Sequence, residues 1–292
     1  MSPIGLIGNL SVDRVAGGEP RPGGGVFHAA RAAARLGTDV IVVTRCAPSD
    51  RAIVLRPLEA LGFPVTCADA AETTGFSFHY EGDTRVMTVD AVGDPWTAAD
   101  IEGWAGDALD DCEWVLVGGL LRSHFDTPAA DALAEPGRRL LLDGQGVTRV
   151  AETGPLREDA EFHRPLLRDL TVLKLNEEEG ALLAGGLDLE HLEALGVPEV
   201  VLTLGSQGAR VVAEGAMTAV PPRVADGPVD PTGAGDAFSL VYVDGRVSGL
   251  DPAAAAGRGQ GKSSKKNNTA NRERSRAHSR SHPDAHIIPL FI

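Results

Sequence analysis

"VDPTGAGDAF", residues 229–238, sets a proline, two glycines flanking an alanine, and an aspartate directly before the apolar run "AFSLVYV". Glycine carries no Cβ, so Gly233-Ala234-Gly235 can form a turn whose backbone N–H groups converge on one point. The run that follows has no breaker and predicts a helix, and a helix N-terminus with unpaired N–H groups attracts anions. Asp236 then lies beside a bound anion, a costly place for a carboxylate unless it acts. Taking the proton from a hydroxyl that attacks a phosphate is such an act. Capping the helix is the structural alternative.

Upstream, short apolar runs alternate with helical segments. "IGLIG", "DVIVVT", "EWVLVGG", "RLLLDG", "LTVLKLN" and "VVLTLG" read as buried strands, each ended by Gly, Asp, Asn or Thr. Residues 26–36, 128–134 and 177–184 are rich in Ala and Leu and predict helices between them. Repeated strand, helix, strand units build a mostly parallel sheet covered on both faces, with ligands at the carboxyl ends of its strands. Residues 10–15 and 76–89 depart from this rhythm. "FSFHYEGDTRVMTV" alternates and turns at Glu81-Gly82-Asp83, which predicts a hairpin that projects as a small β lid.

The chain has 292 residues, 43% of them hydrophobic, enough for a full core. A net charge of −14 argues against nucleic acid or an anionic membrane as partner and favours small neutral or metal-bound ligands. Cys46, Cys67 and Cys112 form no CxxC pair and are expected as buried thiols. No apolar run approaches the roughly 20 residues of a membrane span, and no basic segment precedes the apolar N-terminus, so a cytoplasmic protein is expected. Composition changes at Gly257. Residues 1–256 hold one lysine, Lys174, whereas the remainder holds eight Lys or Arg against two acids. A folded domain over 1–256 and an atypical basic tail over 257–292 follow, the tail either disordered or translated in a shifted frame.

Other segments carry weaker chemistry. "RPGGGVFHAARAAARLG" puts a glycine turn before a helix, where ligand hydroxyls can approach backbone amides. "GNLSVDRV" follows the first strand with Asp13, whose carboxylate can accept two hydrogen bonds from a diol. "LKLNEEEGALL" sets Asn176 and Glu179 on one face of one helical turn, able to hold a hydrated Mg²⁺ or its phosphate, or simply to start a helix. "VVLTLGSQGARVV" reads as strand, turn, strand, with Thr203 and Gly205 able to face a nucleotide. "GLIGNL" lacks the G-x-G-x-x-G spacing of a dinucleotide site, and "GRGQGKSS" is one residue short of a phosphate loop.

Taken in order, "PGGGVFHAARAAARLG", "LNEEEG", "TLGSQGA" and "DPTGAGDAF" resemble the ribokinase-like (PfkB) carbohydrate kinase family over about residues 4–256. The resemblance implies a three-layer α/β sandwich with a mostly parallel central sheet and a small β lid, ATP as donor and Mg²⁺ as cofactor. It implies Asp236 as general base with Gly233, Ala234 and Gly235 as anion hole. It also implies acceptor contacts from Asp13, Gly23 and Gly24, a metal and phosphate motif at Asn176 and Glu179, and nucleotide contacts at Thr203, Gly205 and Gly208. His28 stands where many members have Asn. "LLDGQGVTR", which brings Gln145 and Arg149 to the substrate, and "FHYEGDTRV" resemble the branch of inositol and some nucleoside kinases. The expected activity is ATP-dependent phosphorylation of a small sugar or polyol, inositol-like. A nucleoside kinase and a binding homologue without turnover are the alternatives. The family's last helices, which close one side of the adenine pocket, are expected after Ala256, where the tail stands instead. An exposed lid hairpin offers an edge for a homodimer.

Overall fold

A computed structural model describes residues 2–81, 84–222 and 232–259. The expected hairpin tip at Gly82-Asp83, the first three residues of the 229–238 motif and the tail from residue 260 lie outside the described residues. The strands are β1 (Ile4–Asn9), β2 (Ser11–Val15), β3 (Arg21–Gly23), β4 (Val40–Cys46), β5 (Val65–Asp69), β6 (Thr74–Glu81), β7 (Thr84–Ala91), β8 (Trp114–Gly118), β9 (Arg139–Asp143), β10 (Gly154–Pro155), β11 (Val172–Asn176), β12 (Glu199–Thr203), β13 (Ala209–Ala213) and β14 (Ala216–Val220).

Nine of them form one sheet in the order β5-β4-β1-β8-β9-β11-β12-β13-β14. Neighbours from β5 to β12 are parallel, and β13 and β14 add an antiparallel edge. The six apolar runs read from the sequence are β1, β4, β8, β9, β11 and β12. Alternate residues serve opposite layers, as the two-residue strand period requires. Leu141 belongs to the same core cluster as Phe238 and Leu240 of helix Ala234–Val247 and Val26 of helix Gly25–Leu36. Leu140 and Leu142 pack on the other side with Ala129 and Leu133 of helix Thr127–Leu133. Both faces are therefore covered, giving the three-layer α/β sandwich that the resemblance implies.

The chain lays β1, β4 and β5 toward one edge and restarts with β8 on the other flank of β1. The loops leaving β1 and β8 diverge there and open a crevice at the carboxyl ends of the strands. Asn9, Gly118, Asp143, Asn176 and Thr203 end five of these strands on that rim.

A second sheet, β3-β2-β6-β7-β10, stands over the crevice. Its long members match the expected hairpin, extended to 74–81 and 84–91. β3 and β10, with three and two residues, are too short for any periodicity to announce. Phe76 and Val89 pack against Leu120 and Leu121 of the large body and anchor this sheet. Cys46 and Cys112 are buried, but Cys67 is only partly so, and its sulfur lies 3.8 Å from that of Cys46. Among the described residues no helix is long and apolar enough to cross a membrane.

Candidate active site

Helix Ala234–Val247 starts from Gly233, whose φ of 77° is left-handed and favours glycine. The first helical hydrogen bond runs from the Ala237 N–H to the Gly233 carbonyl at 3.0 Å. The amides of Ala234, Gly235 and Asp236 precede that ladder and are available to an anion. Gly233 occupies the cap position and, among the described residues, no side-chain cap hydrogen bond forms there, so Asp236 is not the cap. Its Oδ1 instead accepts a hydrogen bond from Gln145 Nε2 at 3.3 Å. Burial, then the neighbouring Asp143 carboxylate, raise the Asp236 pKa to about 6 against the pull of Lys174 and Arg149. A carboxylate tuned so close to neutrality is suited to general-base work.

Lys174 and Asn176 leave β11 on the side of Val172, which packs in the layer of helix Ala234–Val247. The Lys174 ammonium donates to Asp143 Oδ2 at 3.0 Å, and both side chains are buried. Burial alone would lower the lysine pKa, but Asp143, Glu179 and Asp236 together raise it and keep the group charged. Gly235 sits directly over this ammonium, since a Cβ there would stand 2.9 Å from Nζ.

Asn176 and Glu179 form a reciprocal capping box on helix Glu177–Ala184. The Asn176 N–H donates to Glu179 Oε2 and the Glu179 N–H donates to Asn176 Oδ1, both at 2.8 Å. Glu179 is 2% exposed, and burial followed by Asp143 raises its pKa to about 7 despite Lys174. Oε2 of Glu179 is thus engaged in the box, and Oε1 lies outside it. Among the described residues no cluster of three or more His, Cys, Asp or Glu forms a metal cage.

Two cavities meet at these residues. One, of about 170 Å³, lies beneath the small sheet and is lined by Asp13, Gly24, His28, Phe76, Gln145 and Arg149 among others. The other, an open groove of about 1030 Å³, runs past Glu177, Leu187, Thr203, Leu204, Gly205 and Ala234. Lys174, Asn176 and Gly235 line both, and Asp236 faces the smaller one.

A model of the pfkB family carbohydrate kinases matches residues 7–266. The chain belongs to this family. As a pfkB kinase it is a phosphotransferase with an alcohol acceptor, of the class that phosphorylates sugars and nucleosides. It is 28% identical to the ribokinase of Bacillus subtilis (strain 168) over 277 residues, covering 87% of this chain and 89% of that one. Its fold is similar to a pyrophosphate-dependent kinase of the ribokinase family solved in a sulfate complex, with TM-score 0.75, 25% identity and coverage of 88% and 92% of the two chains. A structure of a pyrophosphate-dependent kinase in the ribokinase family, complexed with a pyrophosphate analog and myo-inositol, gives TM-score 0.72 and 24% identity, covering 88% and 92%.

Most of the pfkB residues expected from the sequence converge on the two cavities, with exceptions. Gly23 backs Asp13 rather than lining the cavity, for a Cβ on it would lie 2.3 Å from Asp13 Oδ2. Asp13 Oδ1 also accepts from Ser11 Oγ at 2.7 Å. Gly208 is a turn glycine with φ 95° pressed on the Val220 carbonyl, outside the groove lining. The Thr203 hydroxyl donates to the Leu175 carbonyl at 3.1 Å and is already occupied. His28 packs under Gly233, where a Cβ would meet its ring at 2.3 Å. Arg149 is braced by Glu158 at 3.4 Å. Sequence reasoning missed Lys174 as a member of the site. The signal was present: a single lysine in residues 1–256, placed inside an apolar strand.

Proposed function

We propose that the protein transfers the γ-phosphoryl group of ATP to a hydroxyl of a small polyol or sugar, inositol-like in size. The meeting of the two cavities over Asp236 and the free amides of helix Ala234–Val247 carries this reading. Asp13 accepts hydrogen bonds from acceptor hydroxyls, Asp236 takes the proton of the attacking one, and the amides at 233–236 meet the charge that develops. Phe76 and Met87 close the acceptor cavity from the small sheet, which acts as a lid that excludes water. A volume of about 170 Å³ is below the roughly 300–1,000 Å³ of drug-sized ligand pockets. Its largely polar wall suits a polyol better than a nucleobase.

The donor groove favours a nucleotide over pyrophosphate. Among its described lining residues Lys174 is the one cation, beside Glu177 and Glu178, whereas Ala181, Leu187 and Leu204 supply an apolar wall. Pyrophosphate offers only negative charge to such a groove, and a nucleoside offers an apolar face. Asn176 and Glu179 Oε1 supply the oxygen donors that Mg²⁺ prefers, alongside water and donor phosphates. When bound, the metal neutralises phosphate charge.

The test is nucleotide turnover with Mg²⁺ and ATP across ribose, fructose, myo-inositol and nucleosides, with pyrophosphate as a parallel donor. ADP formation on a polyol, lost in Asp236→Asn, supports the proposal. Orthophosphate release from pyrophosphate alone overturns the donor assignment. Acceptor-protected melting without ADP marks a binding homologue instead.

A further inference from the structure

We propose that Lys174 is a catalytic residue whose ammonium contacts the transferring phosphoryl group from beneath the Gly233–Asp236 turn. This rests on the kinase reading above and adds to it a group that the glycine turn does not contain.

The placement is specific. Lys174 is 5% exposed, yet it lines both the acceptor cavity and the donor groove. Its Nζ lies against Gly235, whose amide belongs to the anion-binding turn. Among the described residues its one hydrogen bond goes to Asp143, so two of the three ammonium donors remain for a ligand. A buried ion pair is weak support for stability, since two apolar side chains of similar volume pack as well or better. Structure alone therefore gives little reason for a lysine here.

Charge gives a reason. Asp143, Glu179 and Asp236 surround the junction with three carboxyl groups. A phosphate donor entering that field needs a cation at the point of transfer, and Lys174 stands there. In the step itself, the acceptor O–H gives its proton to Asp236 as the oxygen forms a bond to phosphorus. The bond from phosphorus to the leaving oxygen breaks, and its electron pair departs with the diphosphate. Lys174 donates hydrogen bonds to a non-bridging oxygen throughout and neither gains nor loses a proton.

Lys174→Met leaves the buried Asp143 carboxylate without its countercharge and can fail to fold, so the decisive variant is Lys174→Met combined with Asp143→Asn, which removes both charges. Melting verifies folding. Turnover of the double variant is expected to fall at least about 10²-fold, the loss typical of removing one donor to a developing anion. If Lys174 only neutralised Asp143, the double variant would recover turnover to within a few-fold of the native chain, and the proposal is overturned. A binding arm is independent of turnover. Affinity for AMP-PNP is expected to drop about tenfold or more, from one charge-assisted hydrogen bond, while affinity for ADP changes less than about twofold. Equal losses for both nucleotides, or none, overturn the contact. If the native chain binds neither nucleotide, the ATP reading itself fails, and imidodiphosphate takes the place of AMP-PNP with orthophosphate as its truncated control.

Discussion

Lys174 Nζ lies 2.9 Å from the point where a Cβ on Gly235 would stand, so a methyl group on this helix would press the ammonium of the strand out of its place. Gly235 is helical and its φ is not left-handed, so alanine suits its backbone. Gly235→Ala should therefore keep or slightly raise the melting temperature, since alanine in a helix is favoured over glycine by about 0.5–1 kcal/mol. Turnover should fall about tenfold to 10²-fold as the ammonium is pushed aside. Melting and steady-state kinetics on one preparation separate the two effects.

Asp236 sets a pH limit. Its pKa is raised from about 3.8 to about 6, so at acid pH it holds a proton and accepts none. Activity should rise with pH through about 6, with an apparent pKa that belongs jointly to Asp236 and Glu179. Stability has the opposite slope. Between about 4 and 6 the folded chain binds a proton that the unfolded chain has lost, so this group's contribution falls as pH rises. Asp236→Asn should flatten both trends, lower turnover about 10²- to 10⁴-fold, and melt no lower than the native chain at pH 7.5.

Asp13→Asn tests the acceptor side. Asp13, on β2 of the small sheet, is buried, accepts from Ser11 and lines the acceptor cavity. Loss of a charge-assisted hydrogen bond of about 1.5–3 kcal/mol should raise the acceptor KM about 10- to 10²-fold with little change in the donor KM. Equal changes in both constants would argue that Asp13 serves the lid's fold.

Asn176→Ala removes the cap of helix Glu177–Ala184 and frees the Glu179 carboxyl from its box. The loss should be about 1 kcal/mol in stability, read by denaturant unfolding. The donor KM should rise while the acceptor KM holds. Chelation by EDTA should abolish turnover in the native chain, and Mg²⁺ in excess should restore it.

Much of this molecule was legible before any coordinates, because its most telling features are local. A strand buried on both faces shows itself as an uninterrupted apolar run, and six such runs became six neighbouring strands of the large sheet. A turn that needs a left-handed residue ahead of a helix shows itself as glycine, as at Gly233. The capping box of Asn176 and Glu179 spans three positions and was visible as a helix start. In each case the physical requirement acts on residues adjacent in the chain.

The tertiary structure decided what depends on distance across the fold. β3 and β10 form only because longer strands offer them an edge. Gly23 and Gly208, expected as ligand contacts, lie outside the linings of the two cavities and press on Asp13 and on the Val220 carbonyl of other strands. Lys174 illustrates the limit most clearly. Its letter in "LTVLKLN" shows a charge in an apolar strand and nothing of its use. Its place beside Asp143, under Gly235 and between two cavities arises because the carboxyl ends of β9 and β11 meet a helix N-terminus there. Charges act through space and not along the chain, so the motif in residues 229–238 pointed to an anion site, and only the folded sheet placed a cation, Lys174, beside it.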